Sequence, residues 1–192
     1  MKYNYYLKKT TLLALIAMIT EIGEAQETFC TKNFNNGIVT AEFNQSGAEW
    51  VIDNTAIYPL SRNYKGASGS YYYGASNGST LTEDLTFTVS TVSFSNVTVQ
   101  WGAYKSPLFP GIVFEWSSDG VTWNKQSFKD VLNNSVWAQT NVILLPGAAA
   151  GQPILRLRWS YKANNNNNYY AIDDIVMMGK IRTSKANVSD KN

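Results

Sequence analysis

Short runs in which apolar and polar residues alternate constrain the fold of this chain more than any other feature of its sequence. In residues 154–161, Leu155, Leu157 and Trp159 alternate with arginines. Side chains two positions apart lie on the same face of a β-strand. The run therefore predicts a strand with one buried face and one exposed face.

Similar runs recur along the chain, separated by Gly, Asn, Pro and Ser, and no stretch has sustained helical periodicity. Regular spacing of this kind predicts about eight strands. They are expected at residues 38–43, 49–52, 85–89, 97–104, 112–117, 137–145, 154–161 and 169–178. Residues 61–80, rich in Gly, Ser and Tyr, are expected to form a long loop. The pattern predicts an all-β sandwich of two antiparallel sheets.

The N-terminus has the three parts of a secretory signal peptide in their usual order. Lys8 and Lys9 precede an apolar run at residues 10–20, and the small residues Gly23 and Ala25 follow at positions −3 and −1 from the expected cleavage site. The run is too short to span a bilayer. We therefore interpret residues 1–25 as a cleaved signal peptide and expect a secreted or cell-surface protein. An amphipathic helix of the mature protein is the alternative.

Composition limits what the mature protein can do. The 192 residues carry 16 basic and 14 acidic side chains, a net charge of +2, which does not suit a nucleic-acid binder. The chain has no histidine, so it lacks the commonest general base and metal ligand. Cys30 is its single cysteine, so it can form no internal disulfide. We expect one domain at residues 26–182, with no transmembrane segment, and a polar tail at residues 183–192.

Three motifs in order give the chain a family resemblance. Residues 114–120 (FEWSSDG) precede Trp123, residues 155–159 (LRLRW) follow, and residues 170–175 (YAIDDI) close the domain. Together they resemble the MAM-like jelly-roll modules of secreted and surface Bacteroidetes proteins, including the cleaved adhesin domains of gingipains. The resemblance covers roughly residues 34–180. It implies a lectin-like jelly-roll that serves as a carbohydrate-binding, adhesive or accessory module, often with a structural calcium ion.

Adjacent carboxylates suggest where such an ion would bind. Successive strand residues face opposite ways, so either Asp173 or Asp174 must point inward. A buried carboxylate is costly unless it is paired or bound to a metal, and Ca²⁺ accepts carboxylate and carbonyl oxygens. The resemblance implies Glu42 as a further ligand, with carbonyl groups from residues 66–70 completing the shell. The alternative is a carboxylate satisfied by backbone N–H groups or by an arginine.

Tyrosines flanked by Gly, Ser and Asn are candidate ligand-binding residues: Tyr71, Tyr72, Tyr73, Tyr169 and Tyr170. Aromatic rings beside amide groups suit the recognition of saccharides, and rigid tyrosines also suit protein surfaces. The alternative is that alternate tyrosines pack in the core. Three in succession cannot all face inward in one strand, so at least one is expected to be exposed.

A second candidate surface is the polar face of one sheet. We expect Gln100, Glu115, Arg156 and Arg158 to lie there as a sugar-binding surface. The alternative is a ladder of cross-strand ion pairs, which is ordinary where opposite charges lie on neighbouring strands. The tryptophans at positions 116, 123, 137 and 159 are expected in the core.

These features favour a secreted, non-catalytic module that recognises an extracellular polysaccharide or surface glycan. One alternative is a surface or matrix protein that acts through protein–protein contacts or self-association. A weaker alternative is a small glycoside hydrolase, which needs two carboxylates flanking one cleft. No spacing motif marks such a pair in this sequence.

Overall fold

The computed structural model describes residues 25–47, 50–54, 71–76, 82–132, 135–162 and 168–182. The predicted signal peptide and C-terminal tail lie almost wholly outside these residues. The described strands are β1 Glu27–Lys32, β2 Phe43–Ser46, β3 Trp50–Asp53, β4 Tyr72–Ser76, β5 Thr82–Val89, β6 Phe94–Lys105, β7 Val113–Ser117, β8 Asn124–Lys125, β9 Ala138–Gln139, β10 Ile143–Leu144, β11 Leu155–Lys162 and β12 Tyr169–Ile181. One 3-10 helix, Gly147–Ala149, precedes β11.

The strands form two antiparallel sheets, which confirms the predicted β-sandwich. The larger sheet has the order β10-β6-β12-β4-β3, with β1 also paired to β12 and β9 to β6. The smaller sheet has the order β2-β5-β11-β7-β8. There are about twelve strands among the described residues instead of eight. None of the described helical residues forms a segment long and apolar enough to cross a membrane.

The core between the sheets is strongly aromatic. The ring of Trp101 on β6 lies 4.9 Å from that of Phe114 on β7 and 5.3 Å from that of Trp159 on β11. All three side chains are fully buried. Leu155 and Leu157 are buried on the same face of β11 as Trp159, as their alternation predicts. This packing fixes which face of the smaller sheet points outward.

Two predicted strands are wrong in their extent. Residues 38–42 form no strand, because a turn closed by the Phe43 N–H and the Thr40 carbonyl (3.0 Å) directs the chain into β2. The predicted strand at 137–145 is divided into β9 and β10. Four positions separate Gln139 from Ile143, whereas their partners on β6, Gly102 and Val99, are three apart. The extra residue forces an irregularity of the β-bulge kind.

Two strands of five or more residues were not predicted at all. β1 pairs with the second half of β12 and lies before the first strand expected from the sequence. β4 lies inside the predicted loop, yet it pairs with both β12 and β3. Gly74 is required there, because a Cβ atom at this position would lie 1.7 Å from the Tyr169 hydroxyl oxygen. Glycine in this strand thus marks a close approach of side chains and not a loop.

Candidate functional site

The outward-facing surface of the smaller sheet is the candidate site, and we call it the outer face. In β5 and β11 the buried residues alternate with half-buried polar ones. Cross-strand pairing brings the polar residues of five strands together on this surface. Its strand residues are Asn44, Ser46, Thr82, Asp84, Thr86, Thr88, Val113, Glu115, Ser117, Lys125, Arg156, Arg158, Ser160 and Lys162.

Arg158 lies at the centre of the outer face. Its Nη2 and Nε atoms donate to Glu115 Oε2 at 2.7 and 2.9 Å, and its Nη1 lies 3.7 Å from Asp84 Oδ2. The three side chains are only 16–23 % exposed, so solvent screens these contacts less than at an open surface. The predicted ion-pair ladder is therefore present for Arg158, and it holds the guanidinium in one orientation.

Trp123 covers this guanidinium. The Arg158 Cζ atom lies 3.9 Å from the centroid of the Trp123 ring, a cation–π contact. Trp123 is half-buried, unlike the core tryptophans Trp116, Trp137 and Trp159. The prediction that it lies in the core is therefore wrong. The sequence contains the information needed to place it, because Trp123 is two positions before Lys125 of β8, and side chains two positions apart in extended chain point to the same face.

A tight turn positions Trp123. The Asp119 Oδ1 atom accepts the N–H groups of Val121 and Thr122, both at 2.8 Å, and the Ser117 hydroxyl at 2.9 Å. The Val121 and Thr122 N–H groups hold the pKa of this carboxyl well below its usual range. The ionised side chain thus fixes the turn between β7 and β8. Trp123 follows this turn directly and is held over β11.

Asp84 brings an unsatisfied acceptor to the outer face. Its Oδ1 atom is buried and accepts no hydrogen bond from the described residues. A buried polar atom without a partner costs about 1–3 kcal/mol. An enclosed water molecule that donates to this atom would remove this cost. Asp84 was not among the residues singled out from the sequence, because the predicted strand began at residue 85, whereas β5 begins at Thr82.

The structure brings together only part of the predicted polar face. Glu115 and Arg156 lie on the outer face, since both align with Arg158 or its neighbours on β7 and β11. Gln100 lies on β6 of the larger sheet, where its Nε2 donates to the Thr140 carbonyl at 2.6 Å. Its predicted place beside Glu115 and Arg156 is wrong.

The predicted tyrosine platform is not an exposed surface. Tyr73 and Tyr170 are buried between the sheets, whereas Tyr72 and Tyr169 are buried in a second cluster. That cluster includes Tyr104, Trp137 and Ala171. Tyr71 is half-buried. The core interpretation therefore applies to the four buried tyrosines, whose rings offer no open face to a saccharide.

Hydrogen bonding also places Tyr170 in the interior. Its hydroxyl donates to Asp130 Oδ1 at 3.0 Å and accepts from the Trp101 indole at 3.4 Å. Burial raises the pKa of this hydroxyl well above its ordinary value, and the nearby Asp130 charge adds to the effect. Lys105 Nζ binds the other Asp130 oxygen at 2.7 Å. The network satisfies groups that the core would otherwise leave unpaired.

The three predicted calcium ligands do not converge. Asp173 is fully buried, and its Oδ1 accepts the N–H groups of Asp174 (2.8 Å) and Phe34 (3.4 Å). Glu42 is half-buried, with 43 % of its side chain exposed, and pairs with Lys32 at 2.8 Å. Among the described residues, no three His, Cys, Asp or Glu side chains are close enough to hold one metal ion. Carbonyl groups of residues 66–70 lie outside the described part of the chain.

No observation tests calcium binding, and the partners of Glu42 and Asp173 give the opposite expectation to the one drawn from the sequence. We expect residues 26–192 to melt at the same temperature in calcium and in excess chelator, because Glu42 and Asp173 have other partners. An ion that binds only the folded state would raise the melting temperature. A drop on chelation that Asp174→Asn abolishes would contradict this expectation and favour a site completed by carbonyl groups of residues 66–70.

Glu42 contributes to stability in a defined pH range. The hydrogen bond from Lys32, with a second from Thr40, lowers its pKa from 4.5 to about 2. A lowered folded-state pKa means that the contribution is complete above pH 4.5 and is lost as the pH falls towards about 2. The difference in urea midpoint between the wild type and Glu42→Gln should shrink over this range. A difference that stays constant with pH would contradict it. Because 43 % of the Glu42 side chain is exposed, the effect should be small and sensitive to salt.

Comparison with known proteins gives the fold and no closer relationship. No family model and no curated protein matches the sequence. Among solved structures, TmCBM61 in complex with β-1,4-galactotriose has a TM-score of 0.54 at 14 % identity, covering 77 % of this chain and 94 % of its own. The K2 cleaved adhesin domain of Lys-gingipain has a TM-score of 0.50 at 19 % identity, covering 80 % and 99 %.

An exo-β-agarase also aligns, with a TM-score of 0.53 at 8 % identity. The alignment covers 80 % of this chain but only 25 % of the agarase chain, so the similarity is to one part of that enzyme. At sequence identities this low, the similarity shows a shared fold and does not show a shared function. The chain thus has the β-sandwich fold of carbohydrate-binding modules and cleaved adhesin domains.

Proposed function

We propose that this protein is a secreted, non-catalytic module that binds an extracellular polysaccharide or surface glycan through its outer face. The observation that carries the proposal is the half-buried Trp123 ring fixed over Arg158, beside Glu115 and Asp84. The similarity in fold to a module that binds β-1,4-galactotriose supports the same reading.

The chemistry of the outer face suits a sugar. A pyranose ring has an apolar C–H face and a rim of hydroxyl groups. Binding sites for such ligands combine aromatic side chains with a few placed polar groups. Trp123 supplies the ring, and the partly exposed side chains of Arg158 and Glu115 supply polar groups beside it. The Asp119 turn holds Trp123 and the strands hold the polar groups, which lowers the entropic cost of binding.

The same geometry favours binding over cleavage. A glycosidase places two carboxylates on either side of the scissile bond. On the outer face, Asp84 and Glu115 are instead both directed at the guanidinium of Arg158. Such carboxylates orient a cation and can accept hydrogen bonds from hydroxyl groups. They do not face each other across an open cleft.

Affinity electrophoresis of residues 26–192 through gels that contain single polysaccharides tests the proposal. We expect at least one polysaccharide to retard the protein. Trp123→Ala should remove the retardation while the protein remains folded by circular dichroism. If no polysaccharide retards the protein and light scattering reveals concentration-dependent oligomers, the proposal fails in favour of self-association.

A further inference from the structure

We infer that the outer face selects an acidic glycan, one whose sugars carry carboxylate or sulfate groups. The inference rests on the proposed function, and it names the ligand class. It follows from the distribution of charge over the outer face, which neither the fold nor the comparisons specify.

The charges on the outer face do not balance. Its outward-facing strand residues include the cations Lys125, Arg156, Arg158 and Lys162 and the anions Asp84 and Glu115, a net charge of +2, whereas Glu83 on β5 faces inward and is buried. Both anions are directed at Arg158. The other three cations have no ion pair with any described residue. A ligand that covers this surface therefore meets uncompensated positive charge.

Arg156 is the cation best placed to bind an anion. It lies two positions from Arg158 on β11, opposite Ser117 and Thr88. Its guanidinium packs against the backbone of the turn, since a Cβ atom at Gly120 would lie 2.9 Å from Arg156 Nη1. Arg156 is half-buried, unlike the exposed Lys125. A planar guanidinium suits two parallel hydrogen bonds to a carboxylate or sulfate.

Energetics favour an acidic ligand over a neutral one at this position. A neutral sugar that covers Arg156 removes water from the guanidinium without supplying a counter-charge. An acidic sugar replaces that water with a charge-assisted hydrogen bond, which is about twice as strong as a neutral one. The attraction should weaken as salt is added. The spacing of Arg156 and Arg158, about 7 Å along the strand, is similar to the size of one sugar ring.

Matched polysaccharide pairs test the inference with the mature chain. One pair is polygalacturonate and its methyl ester, and the other is dextran sulfate and dextran. We expect the acidic member of at least one pair to bind about ten-fold more tightly than its neutral partner at low salt. The carboxylate and sulfate pairs distinguish the two anions.

Variants identify the residue responsible. Arg156→Ala should lower the binding of the acidic member to about the level of the neutral member and so remove the preference. Arg156→Lys should restore part of the preference. Lys129→Ala, an exposed lysine outside the outer face, is the matched control and should change neither.

Three outcomes would overturn the inference, and they differ in whether the proposed glycan binding is also lost. Equal binding of the neutral and acidic members removes the selection and leaves glycan binding intact. Binding of duplex DNA as tightly as the acidic polysaccharide shows non-specific attraction between charges. No binding of any polysaccharide removes the proposed function and this inference together.

Discussion

Replacing Trp123 by alanine is expected to lower polysaccharide affinity about ten-fold or more, equivalent to about 1.4 kcal/mol or more. The ring is the one aromatic group that we place on the outer face, where it stacks on Arg158. Covering roughly 60 Å² of it by a sugar contributes about 1.5 kcal/mol at about 25 cal/mol per Å². Isothermal titration calorimetry with the polysaccharide found by electrophoresis measures the change.

The same substitution should have little effect on folding. Loss of the cation–π contact costs about 0.5–1 kcal/mol at such a site. Trp123→Phe keeps an aromatic ring and should retain most of the affinity. Gln139→Ala is the matched control, because Gln139 lines a separate cleft on the larger sheet with Asn33 and Asp174. The account is wrong if Gln139→Ala weakens binding and Trp123→Ala does not.

Replacing Asp173 by alanine is expected to destabilise the fold by about 2–4 kcal/mol. The carboxylate is fully buried and accepts the N–H groups of Phe34 and Asp174. Its removal leaves both donors without this acceptor at the bulge where β12 shifts its pairing with β6. For a domain of this size the melting temperature should fall by roughly 5–15 °C.

Two neighbouring substitutions separate this role from a general effect of mutation. Asp173→Asn keeps an acceptor oxygen and should cost less than Asp173→Ala. Asp174→Gly should leave the melting temperature unchanged or raise it, because Asp174 has a φ of 44°, which glycine adopts without strain. A loss below about 1 kcal/mol for Asp173→Ala would show that the N–H groups find other acceptors.

Where alternation is regular, the sequence was sufficient to predict the fold. β7 and β11 were predicted to within one residue, because each has one face in the core and one in solvent. Alternation of apolar and polar residues is absent from β4, because both faces of this strand are buried. It does not predict the division between β9 and β10 either, because an extra residue there interrupts the pairing with β6.

The candidate site shows a related limit. Alternation gives the face of a strand but not the sheet to which the strand belongs, so Gln100 was grouped with Glu115 although they lie on different sheets. Tyr169 and Tyr170 point to opposite faces of β12, and both faces are covered there. Alternation along the strand therefore could not show that both rings are buried. Trp123 was missed because composition favours the core for tryptophan, whereas the hairpin register directs this one outward.

Amide chemical shifts of the isotopically labelled protein locate the glycan-binding surface when they are recorded while an oligosaccharide of the retarding polysaccharide is added. If the outer face binds glycan, the largest changes should fall on β5, β7 and β11 and on the Trp123 indole. Changes confined to the larger sheet, around the cleft of Asn33, Gln139 and Asp174, would contradict it.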